Sequence, residues 1–448
     1  MPAAHSLAHD IRRTVSLALP VMLARAGLVI LLTVDTVMVG RAGGQELAFF
    51  AIGTAPQLIM QTVGVGLLVG TVVLTAQADG AGRFGECGRI WRLALLLAGV
   101  LGLLYAGIEL RGEALLRLLG QDAAIAAGGA KVLRMWAIGM PGAMLYMATT
   151  SFLEGISRPR PAMIISLGAN LANLLLGWLL VFGHGGLPAV GAAGAALATS
   201  VTIWLMFLLL AGYAVRLPDA HRYGIRAPLA GYRHLVGKLL LLGLPVALAV
   251  GFETTAFSGA TVMAGWGGET PLAAYQLSIN VTSFFYMLSL GLATAAAVRV
   301  GNAVGRGDRP GVTRAGWLAV AIVILLMTGI GLALHFLRRD IIAIYTSDPV
   351  VATAALPVLA VLSFLIIFDG VQGVLMGALR GTADVLLPTL CYALAFWGCA
   401  VPLCYHLGYR RGAGALGLAW GLMAGCILAC ILLGVRFAFI ARRPIRAF

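Results

Sequence analysis

The chain has 448 residues, 60% of them hydrophobic and only 11% charged, with a mean hydropathy of +0.97. Soluble domains carry about 25% charged residues, so this composition excludes a water-soluble enzyme and points to a polytopic membrane protein. The formal net charge of +14 and pI near 10.1 raise the question of a nucleic-acid partner, which the placement of the basic residues answers.

A spanning helix needs about 20 apolar residues. Runs of that kind begin near residues 14, 48, 93, 132, 162, 191, 238, 272, 315, 355, 385 and 414, twelve in all. Helices alone are expected, because lipid offers the backbone no hydrogen-bond partner. The first run follows Arg12 and Arg13 but is too long for the apolar region of a signal peptide, so it reads as a retained span.

Assigning Lys and Arg to alternate connectors separates them sharply. Of the 31, twenty-one fall on one side, in groups that include Arg12 and Arg13, Arg83 to Arg92, Arg216 to Lys238, Arg299 to Arg314, and Arg436 to Arg446. Seven fall on the other, Arg41, Arg111, Arg117, Arg338, Arg339, Arg410 and Arg411, with Lys131 and Arg134 at the mouth of the fourth span and Arg25 within the first. The positive-inside rule then places both termini in the cytoplasm of a cell inner membrane. The positive charge is a topology signal, and no nucleic-acid partner is implied.

Cys391, Cys399, Cys404, Cys426 and Cys430 lie in apolar stretches and Cys87 in a basic connector, with no CxxC pair. They read as small packing groups. The seven histidines form no HExxH, so neither a metal centre nor another cofactor is expected.

The sequence is also duplicated. An offset of 225 brings Leu19-Pro20-Val21 onto Leu244-Pro245-Val246, Thr36-Val37-Met38 onto Thr261-Val262-Met263, and Gly80 and Gly82 onto Gly305 and Gly307. Leu153 and Gly155 match Leu379 and Gly381 at 226, and Gly191 and Gly194 match Gly414 and Gly417 at 223. Residues 1–213 and 238–448 are thus expected to form two six-helix lobes, joined by a basic cytoplasmic linker, 214–237. An even number of spans per half makes both halves face the same way. The expected fold is an all-α integral membrane protein with twelve transmembrane helices in two six-helix bundles, related by a pseudo-twofold axis along the membrane normal. That is the parallel-repeat design of transporters. A channel is less well served, because no filter-like loop is present.

Connectors and helix ends take fourteen of the seventeen acids, leaving Asp35, Glu253 and Asp369 within spans. A charge there costs about 2.5–3.5 kcal/mol on insertion scales, so it is expected to face a cavity and to work. Glu253 and Asp369 both lie near mid-depth of the second half, where the repeat partners are Leu28 and Ala143. Two carboxylates in a poorly solvated cleft favour uptake of a proton or Na+, which relieves their repulsion. Asn170, Asn173, Gln276, Asn280 and Tyr286 add uncharged polar groups to the cavity. Arg25, mid-span in the first helix where the repeat partner is Val250, needs an acid, a carbonyl or water beside it.

These residues resemble the multidrug and toxic compound extrusion (MATE) transporters, most closely their NorM-like branch, over essentially the whole chain. The resemblance rests on LALPVML and VDTVMVG, GLPVAL and FETT, LAAYQLSINV, SLGLATAAAVRVGNAVGRGD, YTSDPVV, ALRGTAD and GAGALGLAWG. It implies export of diverse, often cationic and hydrophobic compounds in exchange for Na+ or H+, by a monomer in contact with membrane lipid and without a cofactor. It also implies a C-terminal cation site at Glu253, Asp369 and Tyr286, and an N-terminal cavity with Asp35, Asn173 and Asn170. Gln276, Asn280 and Asp348 would be substrate contacts near the outer mouth. The chain departs from the family in two places. Gly177 stands where other members carry an acid after the asparagine, which shifts weight to the C-terminal site, and Arg25 is a charge peculiar to this first helix.

Two other readings start from the same architecture. A flippase for lipid-linked saccharide would show a strongly cationic cavity, of which Arg25 is the sole hint. A membrane-embedded enzyme would need a Ser/His, His/Asp or metal-ligand group at one depth, and none is found.

Overall fold

The computed structural model describes residues 7–186, 188–226 and 232–443, without the side chains of Tyr232 and Arg233. Part of the linker, 227–231, and Arg446 of the topology count lie outside the described residues. The described residues contain no strand. The helices are α1 (Leu7–Ala42), α2 (Gly44–Gly80), α3 (Phe84–Leu110), the short α4 (Gly112–Leu118), α5 (Ala123–Gly155), α6 (Arg160–Phe182) and α7 (Ala192–Val215). The second half continues with α8 (Tyr232–Trp266), α9 (Glu269–Gly305), α10 (Arg309–Tyr345), α11 (Pro349–Gly381), α12 (Leu386–Arg410) and α13 (Gly414–Ile440).

Each of the twelve predicted spans falls on one long helix. Eleven of these are long and apolar enough to cross a membrane. The remaining one, α5, carries Lys131, Arg134 and Glu154 together with the hydroxyls of Thr149, Thr150 and Ser151. Glu154 and the three hydroxyls are buried because protein encloses that part of the helix: Met144, Phe152 and Leu153 are fully buried beside them, and α2, α3 and α7 all pack on α5, whereas Lys131 and Arg134 in its first half are exposed. Outer helices show the opposite pattern. Leu325 and Phe336 on α10 are each 76% exposed, a surface that suits lipid rather than water. Cys87, expected in a connector, is buried in the first turns of α3.

The chain forms two compact units. One is Leu23–Ala247; the other joins the residues up to Met22 with those from Leu248 onward. The divide therefore runs through α1 and α8, two residues beyond Pro20 and Pro245, which the repeat places in register. A proline inside a helix removes one backbone hydrogen bond and marks a bend point. In the first unit, Gly66 leaves no room for a Cβ against Ala247 of α8; in the second, Gly291 is as close to Met22 of α1. Adding 225 to 66 gives 291, and adding it to 22 gives 247, so these are the same contact made twice.

The backbone repeats as well. Gly43 and Gly268, Gly82 and Gly307, and Gly191 and Gly414 all have positive φ at the matched connectors. Among the described residues the two non-glycine residues with positive φ, Ser157 (61°) and Ala383 (62°), are partners at an offset of 226. Equivalent helices then occupy equivalent places: α5 is central in one unit, and α11, packed by α9, α10 and α13, is central in the other. The halves differ at α12, where residues Ala393–Ala400 and Tyr405–Arg410 are wound as π-helix, whereas its counterpart α6 is regular. Such widened turns are frequent at functional sites.

Gly377 of α11 lies where a Cβ would collide with the Ala293 carbonyl oxygen of α9, whereas Gly329 of α10 has nothing near it. Gly377→Leu is expected to cost at least about 1–3 kcal/mol by overpacking, and Gly329→Leu less than about 0.5 kcal/mol. Thermal melting of the two purified variants in detergent would separate them.

Candidate functional site

The second unit gathers its intramembrane acids around one amide. Asp369, Gln372 and Arg380 recur at helical spacing along one face of α11, and Glu253 faces them from α8. Gln372 Nε2 donates to Glu253 Oε1 at 2.8 Å and to Asp369 Oδ1 at 2.9 Å. Tyr286 of α9 donates its hydroxyl to the same Glu253 oxygen at 3.4 Å. Gln372 is fully buried and Asp369 is 8% exposed, while Glu253 and Tyr286 are half-buried. The buried Tyr392 of α12 and the guanidinium of Arg380 lie within electrostatic reach of Glu253. The structure thus brings together Glu253, Asp369 and Tyr286, as the sequence suggests, and adds Gln372, Arg380 and Tyr392. Among the described residues no three His, Cys, Asp or Glu side chains form a metal-binding group. No hydrogen bond among the described residues reaches Glu253 Oε2 or Asp369 Oδ2.

The first unit holds a second, closed network. Asp35 of α1, Asn173 of α6 and Thr199 of α7 are buried at 0%, 0% and 2% exposure. Asn173 Nδ2 donates to Asp35 Oδ1 at 2.7 Å, and the Thr199 hydroxyl donates to Asp35 Oδ2. Thr199 Oγ1 also stands 3.1 Å from Asn173 Oδ1, and Thr202 Oγ1 3.4 Å from it. Both oxygens of Asp35 are therefore occupied by donors from this protein. Gly177 packs under Met38, where a Cβ would lie 3.1 Å from its sulfur. Asn170 stands apart, donating to the carbonyls of Gly27 and Ser166.

Arg25 is half-buried and lies within electrostatic reach of Glu154 and Tyr146 on α5. Glu154, counted from the sequence among acids at helix ends, is only 5% exposed. The repeat offsets place Arg25 three residues from the Glu253 position, Tyr146 at Gln372 and Glu154 at Arg380. The two halves thus carry corresponding pairs with the charges exchanged: cation on α1 and anion on α5, anion on α8 and cation on α11. Another fully buried acid, Glu109 of α3, has no hydrogen-bond partner among the described residues on either carboxylate oxygen.

The remaining candidates sit elsewhere in the second unit. Asp348 caps α11, accepting from the backbone nitrogen of Val350 at 2.8 Å. Asn280 accepts from the Tyr345 hydroxyl at 3.3 Å, and Gln276 is exposed on α9. Two signals could have revealed the missed residues. Gln372 lies three residues from Asp369, one turn along the same helix face, and Thr199 is a hydroxyl inside a strongly apolar run.

A duplicated all-helical membrane protein with buried carboxylates in each half has the architecture of a secondary transporter. The MatE family model matches twice, over residues 20–179 and 245–406, starts that differ by the same 225 residues. The chain is similar to a protein of Caulobacter vibrioides called "Probable multidrug resistance protein NorM", 33% identical over 439 residues covering 98% of this chain and 93% of that one. A Xanthomonas campestris protein of the same name is 34% identical over 438 residues, covering 97% and 95%. Among solved structures, a eukaryotic MATE transporter, AtDTX14, aligns with a TM-score of 0.88 at 21% identity, covering 98% of this chain and 99% of that one. A MOP superfamily transporter from Pyrococcus furiosus aligns with a TM-score of 0.87 at 18% identity, covering 96% of each. This chain belongs to the MatE family of multi-pass membrane transporters, with NorM proteins among its relatives. It is not an enzyme.

Thr199→Val removes a donor from a buried carboxylate and is expected to destabilise the first unit by about 1–3 kcal/mol. Thr199→Ser, which keeps the hydroxyl, is expected to melt close to the parent. Equal melting of all three would show that the hydroxyl contributes nothing.

Proposed function

We propose that this chain is a secondary active multidrug efflux transporter. It exports organic compounds, mostly cationic and hydrophobic, in exchange for Na+ or H+ by alternating access. One observation carries the reading: two carboxylates, Glu253 and Asp369, are held by a single amide inside a membrane-spanning unit, each keeping one oxygen free. A cation settling between them relieves their mutual repulsion and favours closer packing of α8 against α11. An organic cation competes for the same charge, and that competition is the basis of exchange.

The Asp35 network is a weaker candidate for exchange. Its carboxylate oxygens already accept from Asn173 and Thr199, and Gly177 supplies no second acid. Gln276 and Asn280 are polar contacts offered to a compound on α9, and Asp348 contributes charge at the start of α11. The names of the NorM relatives support the substrate class. In this reading residues 1–213 and 238–448 act as two lobes joined by 214–237. The protein works as a monomer in the cell inner membrane, with both termini in the cytoplasm and no cofactor.

Efflux driven by an imposed Na+ or pH gradient in reconstituted vesicles is expected to fall at least about tenfold in Glu253→Gln and in Asp369→Asn, as for loss of a charge-assisted contact. Both variants are expected to insert normally. Full efflux by both would refute the coupling role.

A further inference from the structure

Gln372 is more than a strut between two acids. Its amide nitrogen carries two hydrogens, and both are spent, one on Glu253 Oε1 and one on Asp369 Oδ1. With both acids ionised, as in the cation-free state, chemistry dictates this orientation: the opposite one would set the amide oxygen against two carboxylate oxygens within 3 Å. On its far side the amide oxygen is buried and meets no hydrogen-bond donor among the described residues. The amide is therefore held by the carboxylates alone. The groups around it do not compete for that place. Tyr286 of α9 binds only Glu253, and α10 presents Val323 and Met327 beside Gly370. Cys430 of α13 is turned to the Phe368 carbonyl, and Arg380 and Tyr392 are in electrostatic reach of Glu253 without a hydrogen bond to it.

A small cation takes oxygen ligands and is repelled by N–H dipoles pointing at it. We propose that Gln372 is an internal occupant of this site: its two N–H donors stand in for the cation in the cation-free state, and a cation entering at Glu253 Oε2 and Asp369 Oδ2 gains the remaining oxygens, Glu253 Oε1 and Asp369 Oδ1, only by displacing them. Gln372 is then a positioning residue that sets the cation concentration at which exchange begins. It keeps affinity low enough for release and spares the unloaded protein two bare carboxylates in lipid. This inference rests on the coupling role of Glu253 and Asp369.

The test uses the full-length protein reconstituted in vesicles, with efflux of ethidium driven by a Na+ gradient in one arm and a pH gradient in the other. Gln372→Met keeps the length of the side chain but donates nothing, and Gln372→Leu is a second apolar variant in case the first folds poorly. Whichever cation drives the parent is expected to half-activate the variants at about tenfold lower concentration, the equivalent of losing one such competing contact, with a lower maximal rate because release is slowed. An unchanged midpoint would reduce Gln372 to packing. A higher midpoint would make its amide oxygen a cation ligand. Either result overturns the proposal. If neither gradient drives the parent protein, the coupling reading falls instead, which separates the two failures.

Discussion

The controlling constraint on this protein is that charge placed in lipid must be compensated within a few ångströms. Water cannot do it, and the backbone is already consumed by its own helices. Around Asp35 the compensation comes from an amide and a hydroxyl, and around Glu253 and Asp369 from Gln372 and Tyr286. At the start of α1, Asp10 pairs with the buried Arg299 at 2.6 Å, and the same guanidinium donates to the Asp10 carbonyl and to Thr14. That cluster fixes the first turns of α1 to α9, so the helix begins in one unit and ends in the other.

The difference between the carboxylate sites follows from how fully each is compensated. Asp35 has a donor on each oxygen and no exposure. With partners on α6 and α7, it ties three helices together, so any change at the site disturbs all three. Glu253 and Asp369 share one amide and keep an oxygen each, and Glu253 is half open. A saturated site contributes stability, and an unsaturated one is available for exchange.

Duplication explains the scaffold, and divergence explains the chemistry. The paired prolines, the matched positive-φ residues and the twice-made glycine contact show that both halves keep one backbone design. On that shared design the charges were redistributed, with Arg25 and Glu154 in one half against Glu253 and Arg380 in the other. Close helix approach needs small residues at fixed places, so those positions are held. A charged side chain whose partner lies on another helix is bound by no such packing rule, and the pair is free to exchange sign.

The sequence alone determined the number of spans, the helix-only architecture, the repeat and its offset, and the pair Glu253 and Asp369. Each follows from a local or periodic property: run length, mean hydropathy, self-similarity, or a charge stranded in an apolar segment. Only the tertiary structure decided what those charges meet. Gln372, Thr199 and Glu154 are ordinary residues along the chain, and their roles depend on which helix faces they share with residues up to 164 positions away. The same holds for α5, where Glu154 and the hydroxyls of Thr149, Thr150 and Ser151 look unsuited to a span until the protein around them is seen to bury them. Hydropathy records how a segment suits lipid, whereas packing decides whether it ever meets lipid.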